Sequence, residues 1–262
     1  MTGLALNAVA EGDGPPVVIL HGLFGSARNW GSIARRLAKG GRRAIAADLR
    51  NHGDSPRDNR MDYGAMAEDV ARLIEERAGG RAAVVGHSLG GKVAMVLALA
   101  RPALVERLVV VDIAPVAYRA TLGAYASALR ALPLRPGMRR AEADRLLAGT
   151  VPDPAERAFL LQNLVFDADG APRWKPDLAA IEAGMPLIAA FPELPRHARY
   201  DGPVLVVRGE RSAYVRPEHY EPTLALFPRA VFVTVPGAGH WVQAEAPEAF
   251  LRAVEPFLAL DA

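Results

Sequence analysis

Short, near-continuous apolar runs recur along the chain, separated by longer stretches whose apolar positions repeat with helical spacing. Val17–Leu20, Ala44–Ala47, Ala82–Val85, Leu108–Val111, Val204–Val207 and Val231–Val235 predict strands. Unbroken runs of this kind suit strands buried on both faces, as in a parallel sheet wrapped by helices. Leu4–Val9 predicts an antiparallel edge strand. The intervening helices carry readable punctuation. Ser32–Lys39 stops at Gly40, Asp62 caps a helix running to Arg77, Leu89–Ala100 closes at Arg101-Pro102, and Pro247 begins a last helix through Phe257.

The alternation breaks between Pro115 and Tyr200, where no strand is predicted and prolines punctuate several helical segments. Asp153-Pro154 opens one such helix, and Asp177–Ala190 is another. The economical division is a core of residues 1–114 and 201–262, with residues 115–200 forming a helical cap inserted between core strands. At 262 residues and 51% hydrophobic composition, the chain has material for one large core plus such an insertion.

Charge and cysteine content narrow the chemistry. The 31 Lys and Arg nearly balance 29 Asp and Glu, and no basic run is interleaved with aromatics, so nucleic acid is not an expected partner. Cysteine is absent, which removes disulfides, thiolate metal sites and a cysteine nucleophile. No histidine pair shows metal-ligand spacing with a supporting carboxylate, so no metal or organic cofactor is expected. The first residues lack a basic leader, and the longest apolar run, Val93 to Ala100, is far too short to span a bilayer. The expectation is a soluble, cytoplasmic protein; oligomeric state is not legible.

The chemistry concentrates at Gly86-His87-Ser88-Leu89-Gly90, a G-x-S-x-G run between a predicted strand and a predicted helix. A sharp turn there forces the serine into a strained conformation, requires small neighbours, and aims the hydroxyl at a helix N-terminus that favours an oxyanion. The bland alternative is a helix-capping serine. A phosphate-binding loop is also nearly spelled by Gly86-x-x-x-x-Gly91-Lys92, but Val93 stands where a magnesium-binding hydroxyl is needed. Lys92 is therefore expected to be a solvated helix residue.

A nucleophilic serine needs a base and an orienting acid. Of six histidines, His240 follows the last strand in the loop Pro236-Gly237-Ala238-Gly239, which suits an imidazole swung back over the sheet edge. His87 is expected to pack under the turn, His21 to satisfy loop backbone, and His197 and His219 to lie at the surface. For the acid, Asp112 at the end of Leu108–Val111 competes with Glu210 after Val204–Val207. The oxyanion hole would pair the Leu89 amide with one from His21-Gly22-Leu23-Phe24-Gly25, with Leu23 ahead of Phe24. Phe24, Asn51 and Trp241 are candidate pocket residues, weighed against plain loop support and aromatic packing.

Five segments in order, His21-Gly22-Leu23-Phe24-Gly25-Ser26, Asp48 to Pro56, Gly86 to Lys92, Asp112-Ile113-Ala114-Pro115 and Gly239-His240-Trp241, resemble the α/β-hydrolase superfamily. More narrowly, they resemble bacterial esterases of the YbfF type and ABHD-eleven-like hydrolases. The resemblance implies an α/β-hydrolase fold, with a mostly parallel central sheet flanked by helices and bearing a helical cap. It also implies Ser88 as nucleophile and His240 as base. The usual acid position of the superfamily holds Ser212 here, and YbfF-type esterases use the aspartate matching Asp112 with a serine assisting. The expected activity is hydrolysis of short-to-medium acyl esters of a small-molecule substrate. A thioesterase or amidase on the same site, or a non-catalytic small-molecule receptor, are the alternatives.

Overall fold

The computed structural model describes residues 3–118, 123–195 and 197–259, so a few residues of the segment 115–200 and both chain ends lie outside it. Seven strands form one sheet: β1 (Ala8–Glu11), β2 (Pro16–Leu20), β3 (Arg43–Ala47), β4 (Ala82–His87), β5 (Val105–Val111), β6 (Val204–Gly209) and β7 (Ala230–Val235). Their spatial order is β1-β3-β2-β4-β5-β6-β7, all parallel except β1, which runs antiparallel to β3.

Alternate residues of the central strands feed two cores. Val18, Leu20, Val84, Leu108, Val110 and Val206 face one layer, which contains α2 (Tyr63–Arg77) and α3 (Leu89–Ala100). Val17, Ile19, Val85, Val109, Val111 and Val207 face the other, against α1 (Gly31–Lys39) and the terminal helix (Pro247–Ala259). Burial on both faces is the reason these strands contain so few polar residues. The expected caps are present: Asp62 accepts from the Ala65 amide at 2.8 Å.

The edge strand is displaced from the expected Leu4–Val9. Asn7 is taken up instead by side-chain contacts: its amide donates to Ser55 Oγ at 2.9 Å and its Nδ2 to Asp48 Oδ2 at 2.8 Å. The ladder therefore begins at Ala8 opposite Ala47.

Among the described residues, the chain between β5 and β6 contains four helices, Gly123–Ala131, Arg140–Leu147, Pro154–Leu161 and Leu178–Ala189. Asp153 and Asp177 cap the last two through amides of Ala155, Glu156 and Ala180. This stretch also holds a two-stranded hairpin, Leu164–Phe166 with Pro172–Trp174, where no strand was expected. Three-residue strands give no periodicity to read; the turn Asp167 to Gly170, with Gly170 at φ 80°, is the local signal that was available.

Lys92 is the clearest departure. It is 2% exposed, and its Nζ donates to the carbonyls of Ala190 at 2.6 Å and Ala189 at 3.2 Å, close to the Tyr118 ring. Almost every residue of α3 is apolar, so the helix has no solvent face on which a lysine can sit. Burial pulls its ammonium down to about 7. No helix among the described residues is long and apolar enough to cross a membrane.

Candidate active site

Four non-glycine residues have positive φ among the described residues, and each follows a different central strand. Phe24 follows β2, Asn51 follows β3, Ser88 follows β4 and Asp112 follows β5, with φ of 60°, 63°, 52° and 52°. Backbone strain of this kind costs about 1–3 kcal/mol per residue and persists where surrounding structure enforces it. Two of the four strained sites are locked by the sheet itself: the Ser88 amide donates to Val111 O at 3.0 Å and the Asp112 amide to Val207 O at 2.9 Å.

Ser88 sits between β4 and α3 with ψ −115°. The flanking glycines are required by space. A Cβ on Gly86 would lie 2.3 Å from Gly90 O, and one on Gly90 would lie 2.6 Å from His21 O. The turn therefore closes only with glycine at both positions, which leaves the Ser88 hydroxyl projecting from the sheet edge at the start of α3.

His240 Nε2 lies 3.1 Å from Ser88 Oγ, and its Nδ1 lies 2.8 Å from Asp112 Oδ2. Asp112 is fully buried, and its other oxygen accepts from the Gly209 amide at 3.0 Å. The Ser212 hydroxyl donates to Asp112 Oδ2 and accepts from the Tyr214 amide at 3.1 Å. The buried carboxylate is thus met by three donors. Glu210, the rival acid, points elsewhere: its Oε2 accepts from the Gly237 amide at 2.8 Å.

The loop bearing His240 is held from two sides. Glu245 accepts from the Gly239 amide at 2.8 Å and the Trp241 amide at 3.1 Å. His87 donates Nε2–H to the His240 carbonyl at 2.9 Å. Burial, then the neighbouring His240, holds His87 far below the ordinary histidine range, so it is a neutral, fixed donor.

The loop after β2 is organised by two further histidines. His52 Nε2 accepts from the Phe24 amide at 3.2 Å, and His21 Nε2 from the Leu49 amide at 3.0 Å. Burial is the main cause that lowers both, His52 to about 3, and a neutral ring is what an accepting nitrogen requires. The Phe24 carbonyl in turn accepts from Asn163 Nδ2 at 2.7 Å. Phe24 is consequently committed at both backbone groups, whereas no acceptor is found for the Leu23 amide among the described residues.

Around Ser88 lies a cleft of about 100 Å³. Leu23, Phe24, His87, His240 and Trp241 line it from the core, and Tyr125, Glu156, Phe159 and Leu160 from the segment between β5 and β6. Trp241 packs on Phe159 with centroids 5.6 Å apart. Asn51 does not line the cleft. Its side chain bonds Asp58 twice, through Nδ2 to the carbonyl and Oδ1 to the amide, both at 2.8 Å, so it clamps its own loop. Tyr214, unforeseen from the sequence, stacks on His240 at 4.0 Å. Its only local sign was its position two residues after Ser212.

Comparison with known proteins settles the family. The family described as alpha/beta hydrolase fold matches residues 15–247. The chain belongs to the α/β-hydrolase family. Among α/β-hydrolase relatives, it is 41% identical to mouse sn-1-specific diacylglycerol lipase ABHD11 over 252 residues, 94% of this chain and 81% of that one. It is 34% identical to esterase YbfF of Escherichia coli, with 97% of each chain covered. A solved structure described as a marine microorganism esterase superimposes with a TM-score of 0.93 at 35% identity, covering 98% of this chain and all of that one.

Proposed function

We propose that this ester hydrolase is a serine carboxylesterase working through an acyl-enzyme on Ser88. The observation that carries the reading is the unbroken relay from Ser88 Oγ through His240 to the buried Asp112 carboxylate, at 3.1 and 2.8 Å. His240 Nε2 takes the serine proton as Oγ attacks the ester carbonyl, and later delivers it to the departing alcohol. Asp112 holds the Nδ1–H tautomer and stabilises the imidazolium, while Ser212 helps fix the carboxylate. Water then attacks the acyl-enzyme by the reverse proton path.

The tetrahedral oxyanion is received by the amides of Leu89, first in α3, and Leu23. The engagement of the Phe24 amide by His52 supports Leu23 as the loop donor. Residues 115–200 act as a cap that shapes the acyl and alcohol sites, and the small, aromatic-walled cleft favours short-to-medium acyl groups. The names of the relatives, an esterase and a lipase, support esters as the substrate class.

Turnover of p-nitrophenyl acetate and butyrate by Ser88→Ala tests the reading. Loss of at least about three orders of magnitude is expected. Wild-type rates in that variant, or no reaction of the parent with a fluorophosphonate probe, would overturn it.

A further inference from the structure

Among the described residues, Glu156 is the one carboxylate lining the cleft around Ser88, and it lies among aromatic and aliphatic side chains. It is fixed by Tyr125, whose hydroxyl donates to Glu156 Oε2 at 2.6 Å across two different helices. The adjacent cation does not neutralise it. Arg157 turns away to Asp144 at 2.9 Å and to the carbonyls of Val151 and Pro152. Among the described residues the salt bridges leave Glu156 without a cation.

A charge held in a partly apolar cleft acts strongly on what binds beside it. Glu156 leaves an anionic acceptor open, and the Tyr125 oxygen keeps lone pairs free after donating its proton. Together they form a polar corner suited to a hydroxyl group and hostile to a carboxylate or phosphate. Nothing in the triad chemistry requires such a corner.

We propose that Glu156 and Tyr125 form a specificity subsite that favours esters bearing a hydrogen-bond donor such as a free hydroxyl and rejects anionic ones. The proposal rests on the assignment of Ser88 as nucleophile, because the corner matters only if the ester binds against that serine. Glu156 supplies the acceptor and the repulsion; Tyr125 orients it and offers the second oxygen.

Hydrolysis of three butyrate esters tests this: propyl, 2,3-dihydroxypropyl, and 2-carboxyethyl, each followed by pH-stat with the purified chain. Ratios of kcat/KM between esters are read within one preparation, so a partly inactive variant does not distort them. The parent should prefer the dihydroxypropyl over the propyl ester by about tenfold, as for a charge-assisted hydrogen bond. It should disfavour the carboxyethyl ester by at least about fivefold relative to propyl. Glu156→Gln should collapse both ratios toward unity. Tyr125→Phe should reduce the hydroxyl preference while keeping the anion discrimination.

Ratios unchanged in Glu156→Gln, or a parent that hydrolyses the carboxyethyl ester as readily as the propyl ester, would overturn the proposal. Failure of the Ser88 reading would look different: no ester of the set would depend on Ser88.

Discussion

The Tyr214 ring lies nearly parallel to the His240 imidazole, with centroids 4.0 Å apart and planes 22° from each other. It is fixed there at both backbone groups: the Tyr214 amide donates to Ser212 Oγ at 3.1 Å, and its carbonyl accepts from the Tyr118 hydroxyl at 2.6 Å. The same serine bonds Asp112, so the stacked ring and the acid share one anchor. A π-face held against an imidazole would stabilise the imidazolium that the proposed attack by Ser88 generates.

Tyr214→Leu should therefore lower kcat for p-nitrophenyl acetate by about 2- to 30-fold, as expected for about 0.5–2 kcal/mol of cation–π stabilisation. Tyr214→Phe retains the ring and should stay within about twofold of the parent. Equal losses in both variants would show that the ring face is not the active feature.

The acid assignment makes a sharp contrast. Asp112→Asn should reduce kcat/KM on the order of 10³-fold or more, because the tautomer and charge partner of His240 are both lost. Glu210→Gln touches only the Gly237 turn and should stay near parental activity. Ser212→Ala should fall between them. Steady-state kinetics on one p-nitrophenyl ester distinguishes the three, and a crippled Glu210→Gln beside an active Asp112→Asn would reverse the assignment.

Much of this site was legible because the sheet places its chemistry at strand ends. A strand buried on both faces is an apolar run, and the first polar residue after it marks the sheet edge; Asp112 is read in this way, Ser88 from the G-x-S-x-G run between strand and helix, and His240 from the glycine-containing loop after the last strand. What was not legible depends on contacts between distant segments. Tyr125 and Glu156 reach the cleft from two separate helices, and neither carries a local mark of its neighbour. Asn51 lay in a matching loop, but sequence could not tell a side chain aimed at the pocket from one folded back on Asp58. Lys92 was misjudged by its charge, although the apolar helix around it already excluded a solvent face.

The buried histidines predict acid sensitivity. His21, His52 and His87 all titrate below the ordinary 6.5 when folded, so the unfolded chain takes up protons first. Stability present above about pH 6.5 is lost as pH falls toward 3, by up to about 1.4 kcal/mol per pH unit for each ring. Urea denaturation between pH 7.5 and 5 measures the slope. His52→Gln, which keeps an acceptor for the Phe24 amide, should make it shallower by one proton; an identical slope would remove His52 from the account.

Lys92 follows the same logic in a more alkaline window. Its folded value of about 7 lies below the ordinary 10.5, so between these values the unfolded chain holds a proton that the folded chain has released. Stability contributed through this group should rise with pH across that window, by at most about 1.4 kcal/mol per pH unit. Denaturation of the parent and of Lys92→Met at pH 7 and 9 isolates the effect. The difference should move in the parent's favour at pH 9, and parallel curves would contradict it.

The most direct test of the acyl-enzyme is to trap it. The chain is mixed with excess p-nitrophenyl butyrate, quenched in acid within the first turnovers, digested and mapped by mass spectrometry. The account predicts one butyryl group, on the peptide containing Ser88 and on that residue, absent from Ser88→Ala. A hydrolytically active chain with no acyl adduct at Ser88, or with the adduct on another residue, would contradict it.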